Sequence, residues 1–223
     1  MTDIVLSLIV IAFTGGFIAL LFFFITKSRE KREREIRDYC QTNGYHFSKS
    51  NGPLRKAIDI RSHSFLLTST MVSKYHDAQT GSDSWEKISI WRTDLFDAER
   101  PSFLIGSVSA SPGWDHLPPG IRDSAAQALA DESGEKYTAE MASYTNLGPG
   151  NAVLIFQKSP GSADTIIKEL FPLIAGCPTG SGIYLHSEPF GITVKCDNLF
   201  IRSLDDVKML IGMGSACARR PGR

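Results

Sequence analysis

The 223-residue chain is poor in what catalytic and metal-binding signatures are made of. Its four cysteines, Cys40, Cys177, Cys196 and Cys217, include no C-x-x-C pair, which excludes a zinc ribbon and a thioredoxin-type redox motif. They are too scattered for the dense disulfide framework of a small secreted scaffold, so reduced, structural thiols are expected. None of the five histidines (His46, His63, His76, His116, His186) has a second histidine four residues away in the zinc-protease pattern. There is no Gly-x-Ser-x-Gly elbow for a hydrolase nucleophile. No cofactor and no metal site is expected. Charge of one sign is not in excess either: 24 basic and 24 acidic residues give a net charge of zero. A partner made of nucleic acid is therefore not expected, because no strongly basic face is available to neutralise phosphates.

The most informative absence is local. From Ile4 to Thr26 there is no charged side chain, and Leu, Ile, Val and Phe dominate. At about 1.5 Å of rise per residue such a helix crosses a hydrocarbon core of roughly 30 Å, so residues 4–26 are read as a transmembrane helix, with the lipid bilayer as first partner. A cleaved signal peptide would carry a basic start, a shorter apolar core and a small-x-small cleavage site, whereas the only charge before this run is Asp3. Lys27, Arg29, Lys31, Arg32, Arg34 and Arg37 follow the run at once, and basic residues flanking a span stay on the cytoplasmic side. The expected location is the inner or plasma membrane, with residues 1–3 outside and residues 27–223 in the cytoplasm. Ala12, Gly15, Gly16 and Ala19 fall at helical spacing on one side of the span, a small-residue face suited to a homodimer. The plainer reading is that Gly and Ala are common in membrane helices.

Residues 27–43 continue as a charged helix: Glu30 precedes Arg34, and Glu33 precedes Arg37, at the favourable i,i+4 offset. Ile36, Tyr39 and Cys40 make a short apolar stripe for packing on the domain beyond, and Asn43-Gly44 is a natural stop. Residues 45–217 suit one domain, with a frayed tail at 218–223. Strands are expected at Ser64–Val72, Trp85–Leu95, Ser102–Ser109, Ala152–Gln157, Gly182–His186 and Gly191–Lys195, the last two as a hairpin. Helices are expected at Ile121–Glu132, at Ala163–Ala175 with Ser162 as cap, and at Leu204–Met213 with Ser203 and Asp206 at its start. Runs of strands separated by helices imply an α+β fold with a mainly antiparallel sheet.

Candidate sites are few. The turn Gly176-Cys177-Pro178-Thr179-Gly180-Ser181-Gly182 lacks the Lys-Ser/Thr of a P-loop and follows a helix, whose C-terminal dipole disfavours phosphate, so a helix stop is the plainer reading. Cys177 and His186 would make a nucleophile and base only if the fold joined them; a structural thiol is the alternative. The proline-stiffened loop Ser111–Gly120 displays Trp114, Asp115 and His116 as a candidate binding surface, against the reading that Trp114 plugs an edge of the domain. Lys74–Ser84 is expected to be a polar hairpin connection beside it. With every catalytic template failing, the leading expectation is a membrane-anchored protein whose cytoplasmic domain binds or scaffolds an unidentified protein partner. The alternatives are a membrane-tethered hydrolase using Asp115, His116 or the Cys177 turn, and an outward-facing sensor with paired cysteines.

Overall fold

A computed structural model describes residues 2–77, 82–109, 119–133, 137–138, 141–148, 151–178 and 180–219. The fold is α+β, a nine-stranded antiparallel sheet with four helices. The elements are α1 (Thr2–Thr42), β1 (His46–Asn51), β2 (Arg55–Arg61), β3 (Leu66–Asp77), β4 (Ser82–Thr93), β5 (Phe103–Ser109), α2 (Pro119–Ser133), β6 (Ala142–Gly148), β7 (Asn151–Gln157), α3 (Asp164–Ala175), β8 (Ile183–Glu188), β9 (Gly191–Asp197) and α4 (Leu204–Ala218). Strand order is β1-β2-β3-β4-β9-β8-β5-β7-β6.

The period-2 alternation of strands sorts side chains between two layers. Register places Ile60, Leu67, Trp91, Val194, Leu185, Ile105 and Ile155 in one row on one face of the sheet. That face meets α3, α4 and the end of α1 in the main core, which contains Ile166, Ile167, Leu170, Val207, Leu210 and Ile36. The alternate residues Leu104, Leu154, Phe156 and Tyr184 point the other way and pack against Ala126, Ala130 and Tyr137 under α2. Among the described residues, it is the β8-β5-β7-β6 end of the sheet that packs side chains on both faces. Two glycines allow the close approach of helices to sheet: a Cβ on Gly106 would sit 2.2 Å from Leu129 of α2, and one on Gly214 of α4 would sit 2.2 Å from the Trp91 ring.

A buried chain of hydroxyls crosses the main core. Ser69 and Ser89 bond at 2.8 Å, Ser89 donates to the Leu199 carbonyl at 2.8 Å, and Ser69 accepts from the Ile201 N–H at 2.9 Å. The segment leading into α4 is thereby tied to the centre of the sheet. The start of α4 is a full capping box between Ser203 and Asp206.

α1 runs without interruption from the apolar segment into the charged one. Glu33 accepts from Arg37 at 3.1 Å and also from Lys49 on β1, while Ile36 and Cys40 are buried and Tyr39 packs beside them. The helix stops at Asn43-Gly44, with Gly44 at φ +69°. Phe17 to Ile25 expose their large apolar side chains around the helix. No helix among the described residues is long and apolar enough to cross a membrane. Of the expected span Ile4–Thr26, the side chains of residues 4–13, Ala12 among them, lie outside the described residues. The described remainder, Thr14–Thr26, amounts to about 20 Å of helix, less than one crossing.

Several expectations are corrected. Lys74–Ser84 is not all connection, since β3 reaches Asp77 and β4 begins at Ser82. Ser162 does not cap α3: Ala163 is the N-cap without a side-chain bond, and the Ser162 hydroxyl turns back to the Ser159 carbonyl at 2.7 Å. Helix α4 runs on past Met213 to Ala218, with Gly214 seated against Trp91 and Met213, Ala216 and Cys217 buried. Strands β1, β2 and β6 are additional to those expected.

Candidate functional site

Orientation within the sheet decides which side chains can meet. α1 and β1 run antiparallel: the Arg37 guanidinium lies 5.0 Å from the Phe47 ring centroid, and Glu33, one helical turn earlier, meets Lys49 two residues later. The Asn51 end of β1 therefore points toward the N-terminal part of α1. Through the register Asn51↔Lys56, Arg55↔Val72 and Val72↔Glu86, this near end includes the start of β4. The far end holds Thr93 opposite Ile192, and Phe103 between Ser187 and Gln157.

Two features converge at the far end. The first is apolar. Leu95 and Phe96 follow β4, and Phe190 caps the β8–β9 turn; they are 52%, 63% and 75% exposed. The Phe96 and Phe190 rings lie 5.4 Å apart. Their support is rigid: the Asp97 N–H donates to the Pro189 carbonyl at 2.8 Å, and the nearly buried Arg100 donates from Nη1 to the Glu188 carbonyl at 3.0 Å. Burial lowers the pKa of Arg100, but a guanidinium keeps its charge throughout the accessible pH range, so the staple persists.

The second feature is ionic. Glu188 Oε1 stands 3.4 Å from both His186 Nε2 and Lys158 Nζ. His186 and Glu188 are two residues apart on β8 and share the face covered by α2, hence the contact. Tyr137 and Tyr184 flank the imidazole with ring centroids at 6.4 Å, and Lys158 Nζ lies 5.6 Å from the Tyr137 ring. An imidazole oriented by a carboxylate is a general-base arrangement. Here the carboxylate is shared with a lysine, which makes it as much an ion-pair hub at the rim of the apolar tip.

The residues expected from sequence fare differently. Trp114, Asp115 and His116 lie outside the described residues. Gly15, Gly16 and Ala19 lie on an exposed stretch of α1, and a Cβ on either glycine would meet nothing within 4 Å. Cys177 and His186 are not brought together: Cys177 belongs to the main core, whereas His186 is on the α2 face. Cys177 instead packs its Sγ 3.4 Å from Met209 Sδ and beside the Cys196 thiol, whose hydrogen bond lowers the Cys177 pKa and raises that of Cys196. Burial raises Cys40 and Cys217. All four cysteines are free and buried, and no group of three or more His, Cys, Asp or Glu able to hold a metal ion exists among the described residues. The far-end tip was not anticipated, although Asp94-Leu95-Phe96-Asp97 and Pro189-Phe190-Gly191, each with a large apolar side chain in a turn, carried a signal.

Compared with protein-family models, with curated proteins and with solved structures, the chain matches none.

Proposed function

We propose that this is a single-pass membrane-anchored protein whose cytoplasmic domain docks a protein partner through the Leu95, Phe96 and Phe190 tip. The observation that carries the reading is the location of that tip: exposed, paired aromatics sit at the end of the sheet facing away from the N-terminal part of α1. An apolar patch with an ionic rim is the usual make-up of a recognition surface, and aromatic anchors supply most of the binding energy there. The uncharged run Ile4–Thr26, with Phe17 to Ile25 exposed around the helix, supports anchoring. The basic flank from Lys27 to Arg37 supports a cytoplasmic domain. The unbroken α1, bonded to β1 and α4 through Glu33, Ile36 and Cys40, would hold the tip at a fixed height above the bilayer. Pairing of two spans through Ala12, Gly15, Gly16 and Ala19 belongs to the same reading.

Crosslinking in native membranes, comparing the intact chain with Phe96→Ala and Phe190→Ala, tests the docking role: a partner captured by the parent and lost from both variants is expected. Equal capture by all three overturns it. A reporter fused after Arg223 is expected to be active in the cytoplasm, and activity on the opposite side overturns the topology. The His186 and Glu188 contact favours a second reading, a membrane-tethered hydrolase. Turnover of an ester, peptide or phosphoester substrate by the parent, abolished in His186→Ala, would establish that reading instead.

A further inference from the structure

We propose that the β1–β2 turn, Gly52-Pro53-Leu54, is a second membrane contact, resting on an anionic bilayer with Leu54 among the headgroups and Arg55 and Lys56 beside it, which rests on α1 being the anchor. The position follows from how α1 and β1 run past one another. Arg37 meets Phe47 and Glu33 meets Lys49, so four residues of helix match two of strand, about 6 Å by either route. From Glu33 back to Thr26, where the uncharged run ends, the helix covers roughly 10 Å. From Lys49 forward through Asn51 and into the turn, the chain covers a similar distance of about 10 Å. The tip of the turn is therefore level with Lys27, the first charge after the apolar run.

The chemistry of the turn suits that level. Leu54 is 69% exposed on a turn that otherwise carries polar side chains and Pro53. Its exposure is built in: the Gly52 N–H donates to the Arg55 carbonyl at 2.8 Å, and the Leu54 carbonyl accepts from the Ser73 N–H at 3.0 Å. Pro53 has a fixed φ, so the turn cannot fold its leucine inward cheaply. Around it stand Arg55, exposed, and Lys56, whose ammonium lies 5.6 Å from the ring centroid of the half-buried Trp85. On α1 at the same level are Lys27, Arg29 and the acidic Glu30. One apolar side chain next to Arg55 and Lys56, with Trp85 behind, is the pattern of a headgroup-level contact. Lys74 is neutralised by Glu86 at 2.9 Å and adds little. The β3–β4 ribbon runs on past Ser73 to Asp77 and Ser82, with a register shift after Ser73; two to three strands crossed at about 20–25° each turn it by roughly 40–75° from the line of β1.

Two attachments, a span and a surface contact beside it, would fix the tilt of the domain as well as its height. The test is collision-accessibility spectroscopy on the full chain reconstituted in bilayers, with nitroxide labels at Leu54→Cys, Phe22→Cys and Phe190→Cys, and the parent with its four buried thiols as the labelling blank. The expected result is oxygen-rich, nickel-excluded labels at 22 and, more shallowly, at 54, with a water-exposed label at 190. A water-exposed label at 54 with a membrane-buried one at 22 overturns the contact while leaving the anchor intact. A water-exposed label at 22 overturns the anchor and the contact with it. Reconstitution in purely zwitterionic lipid, or Arg55→Glu with Lys56→Glu in anionic lipid, is expected to return position 54 to water; no change in either overturns the anionic-lipid part.

Discussion

Replacing Gly214 with alanine is expected to destabilise the domain, although the same change at Gly212, two positions earlier on α4, is expected to stabilise it. Both glycines lie inside a helix, where alanine is favoured by about 1 kcal/mol. Their surroundings set the sign. A Cβ at Gly212 meets Leu173 Cδ1 and Cδ2 at 3.7 Å, an ordinary contact. One at Gly214 would lie 2.2 Å from Trp91 Cδ2 and 2.4 Å from Cε2 and Cε3, so ring or helix must move by more than 1 Å. The ring has little room: Trp91 is buried and stacked on Phe65 at 5.6 Å. Overpacking costs about 1–3 kcal/mol, and a fixed ring calls for the upper end. Gly214→Ala then nets about 2 kcal/mol of destabilisation, a fall of roughly 4–8 °C in Tm for a domain of this size. Gly212→Ala nets about 1 kcal/mol in the opposite direction, a rise of roughly 2–4 °C. The assay is thermal and urea unfolding of the full chain in detergent micelles, followed by far-UV circular dichroism. Adding Trp91→Leu to Gly214→Ala is expected to show favourable coupling of about 1–2 kcal/mol, because the second change removes the obstacle. If Gly214→Ala is as stable as Gly212→Ala, or shows no coupling to position 91, the close packing of α4 on β4 is wrong.

Ser69→Ala is expected to cost about 1–3 kcal/mol in the same assay, because the buried Ile201 N–H loses its acceptor; an unchanged urea midpoint would show that the hydroxyl chain is not holding that segment. Glu33 has its pKa held below the usual 4.5, first by the hydrogen bond from Lys49, with burial opposing it and Arg37 adding to it. Its charged form is favoured in the folded state, so this contribution is present above 4.5 and fades as pH falls through the depressed value. Glu33→Gln is therefore expected to flatten the acid side of the Tm-versus-pH curve, by less than about 1 kcal/mol for so exposed a pair; an unchanged acid limb would contradict it. Brief alkylation of the native chain is expected to modify Cys177 before Cys40, Cys196 or Cys217, since it is the least buried and its thiolate is stabilised by the Cys196 thiol. Peptide mapping that finds Cys196 or Cys217 modified first would refute the core packing around Met209.

The tip and the turn lie at opposite ends of one rigid construction. The aromatic pair Phe96 and Phe190 lies at the end of the sheet away from the N-terminal part of α1, while the Gly52-Pro53-Leu54 turn lies at the near end. If both proposals hold, a partner bound at the first would be presented at a height and tilt set by the second.

The sequence by itself determined the parts whose signal is local. An uncharged run followed by a charged stretch without Gly or Pro made α1 legible to its stop at Asn43-Gly44, and β-branched runs marked β3, β4, β5, β7, β8 and β9. The Ser203 and Asp206 start of α4 was readable because a capping box needs only four residues. Strands β1 and β6 were not readable, because as the two edges of the sheet they carry polar sequences such as His46-Phe47-Ser48-Lys49-Ser50-Asn51 and take strand form only from a neighbour's hydrogen bonds. Only the tertiary structure decided strand order, and with it the far end, where residues about ninety positions apart meet: Phe96 with Phe190, Arg100 with the Glu188 carbonyl. It also separated Cys177 from His186, which nine residues of sequence bring close, by placing them on opposite faces of one sheet. Strand alternation fixes which residues share a face, but which face is covered, and by what, depends on helices that join the sheet from elsewhere in the chain.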